Sequence, residues 1–164
     1  MAKIVYSYNK AETIKPLKSN WAVAELKLTY RFKKRTNIIV SSAWSAAKVF
    51  RAMWDNSLIN IQEQFCVIFL NTMGEVIGFK LYNTGTIKSG IVDVNLVLSS
   101  ALLCRATNII IAHNHPSGDL KFSDQDLKLT QKIREACEII DVTLKDHIIL
   151  TNDSYSSFFE IYEK

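Results

Sequence analysis

The chain has 164 residues, 48% of them hydrophobic, with a net charge of +4, which suits one domain burying a sizeable core and argues against several. No segment approaches the roughly 20 apolar residues that span a bilayer, and residues 1–10 lack the apolar run of a secretory leader. Cys66, Cys104 and Cys137 are odd in number, widely spaced and set among apolar neighbours, which suits reduced core residues better than a disulfide framework, and a soluble, cytosolic protein with no membrane association is expected.

Residues 1–60 hold eleven Lys and Arg against three Asp and Glu, while residues 61–164 hold nine against thirteen. Residues 1–40 are expected to form a basic, extended segment: 1–20, with Pro16, reads as a lead-in, and 22–32 alternates as a strand. Lys27, Arg31, Lys33, Lys34 and Arg35, with Tyr30 and Phe32 among them, could meet nucleic-acid phosphates. A solvated edge strand carrying protective lysines is the plainer reading. Ser41 or Ser42 then caps a helix to about residue 54, with Trp44, Ala47, Val49, Phe50 and Met53 on its core side. Residues 65–70 are a continuous apolar strand, 71–74 a turn and 75–82 the returning strand of a hairpin. Asp93 caps a helix to about residue 105, and 108–113 is a buried strand. Residues 124–140 form an amphipathic helix with Leu129, Ile133, Ala136 and Ile140 inward, and 142–150 is one more strand. A hairpin followed by helix, strand, helix and strand predicts a sheet layered against helices.

Chemistry is concentrated where the 108–113 strand ends. Residues two apart on a strand share a face, so His113 and His115 can offer imidazoles to one ion. Pro116 ends the ladder, Ser117-Gly118-Asp119 allows a sharp turn, and Ser123 caps the next helix with Asp126 at its third position. There the helix dipole favours the ionised carboxylate, the form that binds metal. Two imidazoles and a carboxylate are an open zinc set with a fourth position for water. Such a water needs a base, and Glu63, at the mouth of the 65–70 strand, is the best placed carboxylate. Ser123 can accept from the amide of Asp126 while its hydroxyl proton donates to a substrate oxyanion. Taken singly, each piece has an ordinary reading: strand-end histidines bonded to backbone, a capping box, a solvated carboxylate. Jointly, the pattern should arise by chance on the order of once in several thousand chains of this length.

The spacing His113-x-His115, seven residues, Ser123, two residues, Asp126, with Glu63 upstream, resembles the JAMM signature of the MPN/JAB metalloprotease superfamily. More narrowly, His113-Asn114-His115-Pro116-Ser117-Gly118, Lys145-Asp146-His147-Ile148-Ile149 and Glu63-Gln64-Phe65 resemble the RadC pattern, over roughly residues 40–160. The resemblance implies an α/β (α+β) fold for residues 41–164, a single MPN/JAB-type domain whose mixed sheet is flanked by helices as in cytidine deaminases. It also implies Zn2+ held by His113, His115 and Asp126, Glu63 as general acid/base and Ser123 as oxyanion donor, acting on peptide or isopeptide bonds of a protein or peptide substrate. Asn95 stands where the family often has arginine, leaving any contact of that arginine in doubt. Residues 1–40 do not resemble the helix-hairpin-helix-like region of full-length RadC proteins, so the short form found with mobile elements is expected. His147, beside Asp146, is either a group behind a ligand or a buried histidine satisfied by backbone, and stays outside the ligand set. Two rival readings are a DNA-repair-associated or mobile-element accessory protein with a regulatory or vestigial metal site, and a metal-dependent nuclease, which lacks a second carboxylate cluster.

Overall fold

The computed structural model describes residues 37–84 and 92–163; the lead-in, the 22–32 strand and the basic residues Lys27 to Arg35 lie outside them. The described elements run α1 (Ala43–Met53), β1 (Gln64–Leu70), β2 (Val76–Thr84), α2 (Val94–Cys104), β3 (Asn108–Asn114), α3 (Asp124–Ile139), β4 (Thr143–Leu150), β5 (Tyr155–Ser157) and α4 (Phe158–Tyr162). They form an α+β fold on one mixed sheet of order β2-β1-β3-β4-β5. β1 is antiparallel to both β2 and β3, β3 runs parallel to β4 through the α3 crossover, and β5 returns antiparallel. No helix among the described residues is long and apolar enough to cross a membrane.

Side-chain alternation divides the core between the two faces of the sheet. Cys66, Ile68 and Leu70 of β1 and Ile110 and Ala112 of β3 share a cluster with Ala46, Ala47 and Phe50 of α1. Phe65, Val67, Phe69, Ile109 and Ile111 share the other with Val97 and Ala101 of α2 and Ile133 and Cys137 of α3. Each such large side chain contributes about 1.5–3 kcal/mol relative to exposure. β1 is buried along its whole length, which explains its unbroken apolar sequence. By the same parity the odd-numbered residues of β3, ending at His113, face α3.

Predicted caps are found at Ser42, Asp93 and Ser123, each side chain accepting from a first-turn amide. The hairpin turn closes through Asn71, whose side-chain oxygen accepts from the amides of Met73 and Glu75 at 2.9 and 3.0 Å. Gly74 is required there, because its φ is +75° and a Cβ would lie 2.8 Å from the Val40 carbonyl oxygen.

Three expectations change. Trp44 is 58% exposed rather than core, with the Lys48 ammonium 4.3 Å from its ring centroid, and α1 instead buries Ala43, Ala46, Ala47, Val49 and Phe50. The inward face of α3 centres on Asp126, Thr130, Ile133 and Cys137, while Leu129, Ala136 and Ile140 are half-buried flanks. An apolar-only reading rotates this helix because two of its inward residues are polar. β5 and α4 were also absent from the predicted elements. Asp146 organises them, accepting from the Ser157 hydroxyl at 2.6 Å and the Phe159 amide at 3.1 Å.

One irregularity matters for the site. Ile109 pairs with Leu144 but Ile110 pairs with Asp146, so β4 advances two residues against one and Lys145 is a bulge. Alternation is reset there. Leu144 belongs to the α2/α3 side and Ile148 and Leu150 to the α1 side, which turns His147 toward α3.

Candidate metal centre

β3 carries His113 out of the core, and the His115 amide extends the ladder by donating to the Leu150 carbonyl at 2.9 Å. The chain then turns, the Gly118 amide donating to the His115 carbonyl at 3.0 Å, with Gly118 at φ +81°. In this left-handed region glycine alone is unstrained. The turn returns the chain to Ser123, whose capping box fixes the start of α3: Ser123 Oγ accepts from the Asp126 amide, and Asp126 Oδ2 accepts from the Ser123 amide at 2.8 Å.

His113, His115 and Asp126 converge as the spacing predicted, with ligand atoms all within 4.8 Å of one another. His113 Nε2 lies 2.9 Å from His115 Nε2 and 3.2 Å from Asp126 Oδ1, and His115 Nε2 lies 3.8 Å from Asp126 Oδ2. These separations bracket the roughly 3.3 Å that tetrahedral ligands keep from each other around zinc at 2.0–2.1 Å. The donor set can therefore hold a metal ion. Burial by itself would disfavour an ionised Asp126 carboxyl, but the amide and hydroxyl of Ser123 donate to Oδ2 at 2.8 and 2.6 Å and favour the anion. The anion is the form of a carboxylate that can bind a metal.

Glu63 lines the same cavity, of about 480 Å³, as His115, Asp119, Lys121, Ser123 and Asp124. Its place is set by a residue that the sequence reading passed over. Asn114 points to the other face of β3 from His113 and is wholly buried. Its amide nitrogen donates to the carbonyls of Ile59 and Gln62 at 2.7 and 2.9 Å, and its oxygen accepts from the Gln64 amide at 2.7 Å. One side chain thereby clamps the backbone on both sides of Glu63 to the strand that carries the two imidazoles. Asn114→Ala would leave three buried backbone groups unsatisfied, and a loss of roughly 2–4 kcal/mol is expected by chemical denaturation. Asn114→Asp should fare no better, since it sets a carboxylate oxygen against two carbonyls. A loss below about 0.5 kcal/mol in the alanine variant would show that water replaces the clamp.

Ser123 differs from its expected geometry in one respect. Its hydroxyl lies 2.6 Å from Asp126 Oδ2, so its single proton goes to the carboxylate, and reaching a substrate oxygen requires rotation about the Cβ–Oγ bond. Behind these three candidate ligands lie groups with weaker sequence signals. His147, wholly buried, places Nε2 2.7 Å from His113 Nδ1 and Nδ1 2.6 Å from Thr130 Oγ1. Phe122 packs edge-on, its ring 5.3 Å from that of His147 and 6.5 Å from that of His113. Asn95 is exposed in the first turn of α2.

A family model described as a RadC-like JAB domain matches residues 40–163. A UPF0758 protein of Flavobacterium johnsoniae is 45% identical over 98 residues, covering 60% of this chain and 43% of the relative. One of Haemophilus ducreyi is 42% identical over 99 residues, covering 60% and 44%. One of Streptococcus gordonii is 33% identical over 137 residues, covering 84% and 61%. The chain thus spans about two fifths to three fifths of the length of these curated relatives.

Proposed function

The chain belongs to the RadC-like JAB domain family, and from that premise we propose that it hydrolyses amide bonds, peptide or isopeptide, at a Zn2+ site held by His113, His115 and Asp126. One observation carries this reading. His115 Nδ1 lies 2.7 Å from the Asp119 carbonyl oxygen, which can only accept, so Nδ1 bears a proton and, in the neutral ring, Nε2 is the nitrogen with the lone pair. That lone pair is aimed at His113 Nε2 and the Asp126 carboxylate. Electron-rich atoms crowded this closely call for a cation among them.

When bound, zinc supplies Lewis acidity toward both water and the scissile carbonyl. Glu63 takes the proton of the attacking water and returns it to the leaving amine. Ser123, its hydroxyl turned from Asp126, donates to the oxygen on which negative charge develops. The cavity wall supports an amide substrate over a phosphodiester: Glu63, Asp119 and Asp124 face the single cation Lys121 among its described lining, a balance that repels polyanions.

Metal analysis of the purified protein tests the reading. One zinc per chain is expected. Chelation should abolish cleavage of a mixed peptide and isopeptide library, and added zinc should restore it. Carefully prepared protein that holds no metal, or cleaves without it, would overturn the assignment.

A further inference from the structure

Resting on the metal-site reading of His113, we propose that His147 and Thr130 are positioning residues that lock His113 in its Nδ1–H tautomer, so that its Nε2 lone pair faces the metal position before any metal arrives. The argument begins at an acceptor that cannot be reversed. Thr130 Oγ1 lies 2.6 Å from the backbone carbonyl oxygen of Asp126, and a carbonyl only accepts, so Thr130 commits its one proton there. Its oxygen must then accept in the 2.6 Å contact with His147 Nδ1, which makes His147 the donor. The two ring partners of His147 are Thr130 and His113, neither a carboxylate. The ring is wholly buried, where a positive charge without an anionic partner is costly, so it is neutral. A neutral ring protonated at Nδ1 is bare at Nε2. His113 Nδ1, 2.7 Å away, therefore donates to it, and His113 Nε2 is left bare, 3.2 Å from Asp126 Oδ1.

The relay begins on the main chain of Asp126 and ends at the site of its carboxylate. His115 reaches the same result in one step through the Asp119 carbonyl. Each imidazole ligand is thus anchored through Nδ1 on a backbone oxygen, one directly and the other through two side chains. The Lys145 bulge is what makes the longer route possible, since without it alternation from Leu144 would aim His147 at the α1 side of the sheet. Phe122, 4% exposed, covers the His113–His147 pair and keeps out water that could accept from either ring in place of its partner. Fixing the tautomer in advance removes one ordering step from metal binding.

The full chain contains three histidines, so a protein labelled with nitrogen-15 in its imidazoles displays only three rings. Long-range proton–nitrogen spectra of the chelated and zinc-loaded protein should show His113 and His147 protonated at Nδ1 and without a proton on Nε2 in both states. A proton on Nε2 of either ring, or an averaged signal, in the chelated protein would overturn the proposal. Thr130→Val, close in volume but without the hydroxyl, should blur both tautomers and weaken zinc binding roughly 10- to 100-fold, and Thr130→Ser should recover both. Wild-type tautomers and affinity in Thr130→Val would equally overturn it. If that variant does not fold, the wild-type spectra decide alone. Correct tautomers in a protein that takes up no zinc would support the relay and overturn the zinc reading.

Discussion

Glu63→Gln is expected to lower kcat by roughly 10²- to 10⁴-fold while leaving one zinc bound per chain. The glutamine amide keeps the size and hydrogen-bonding reach of the carboxylate but cannot accept the proton of the attacking water. Zinc should stay because the converging donor atoms are those of His113, His115 and Asp126; Glu63 lines the cavity beside them. The fold should also hold, since Asn114 fixes the backbone on each side of residue 63. Measured together, kcat and zinc content separate the roles. Unchanged turnover would remove Glu63 from the chemistry, and joint loss of zinc and turnover would make it a ligand instead of a base. The substituted protein is also the natural bait for substrate, being metal-loaded and unable to complete the reaction.

The parts legible in the sequence are those whose geometry is local. β1 and β3 are apolar runs of strand length, the three helix caps lie within four residues of the amides that they satisfy, and His113, His115 and Asp126 are set by strand alternation followed by a capped first turn. Non-local requirements left weaker traces. Asn114 bonds to backbone 50 to 55 residues away, and nothing near it in the chain distinguishes a buried clamp from a strand-end asparagine. Thr130 reads as an ordinary polar residue on an amphipathic helix unless Asp126, one turn earlier, is already known to face inward; the orientation predicted for α3 missed it for that reason. For His147 the sequence leaves two readings, a group behind a ligand and a buried histidine satisfied by backbone, because its orientation depends on a bulge at Lys145 that carries neither glycine nor proline to announce it. β5 spans three residues and α4 five, too few for a period of either kind to emerge. Site chemistry was therefore readable where spacing alone builds it, and unreadable where a distant strand must supply the second partner.

Asp126→Asn should separate the two duties of the Asp126 side chain. Its carboxylate faces His113 and His115 and also completes the capping box of α3, accepting from the amide and hydroxyl of Ser123. An asparagine can turn its oxygen to the Ser123 amide and its NH2 to the lone pair of His113 Nε2. Chelated Asp126→Asn should therefore stay within about 1 kcal/mol of chelated wild type. A neutral amide is nevertheless a poor partner for zinc, and binding should fail. Zinc at 100 times its dissociation constant stabilises the wild type by about 2.7 kcal/mol, which for a domain of this size raises Tm by roughly 10 °C; Asp126→Asn should show no such rise. Asp126→Ala should lose the rise and, in addition, about 1–2 kcal/mol of metal-independent stability, because the Ser123 amide then has no acceptor at the start of α3. Thermal melts of the three proteins with chelator and with zinc give both quantities. A zinc-dependent rise of wild-type size in Asp126→Asn would remove the carboxylate from the ligand set and leave it a helix cap, since the cap is the one duty that the amide can still perform.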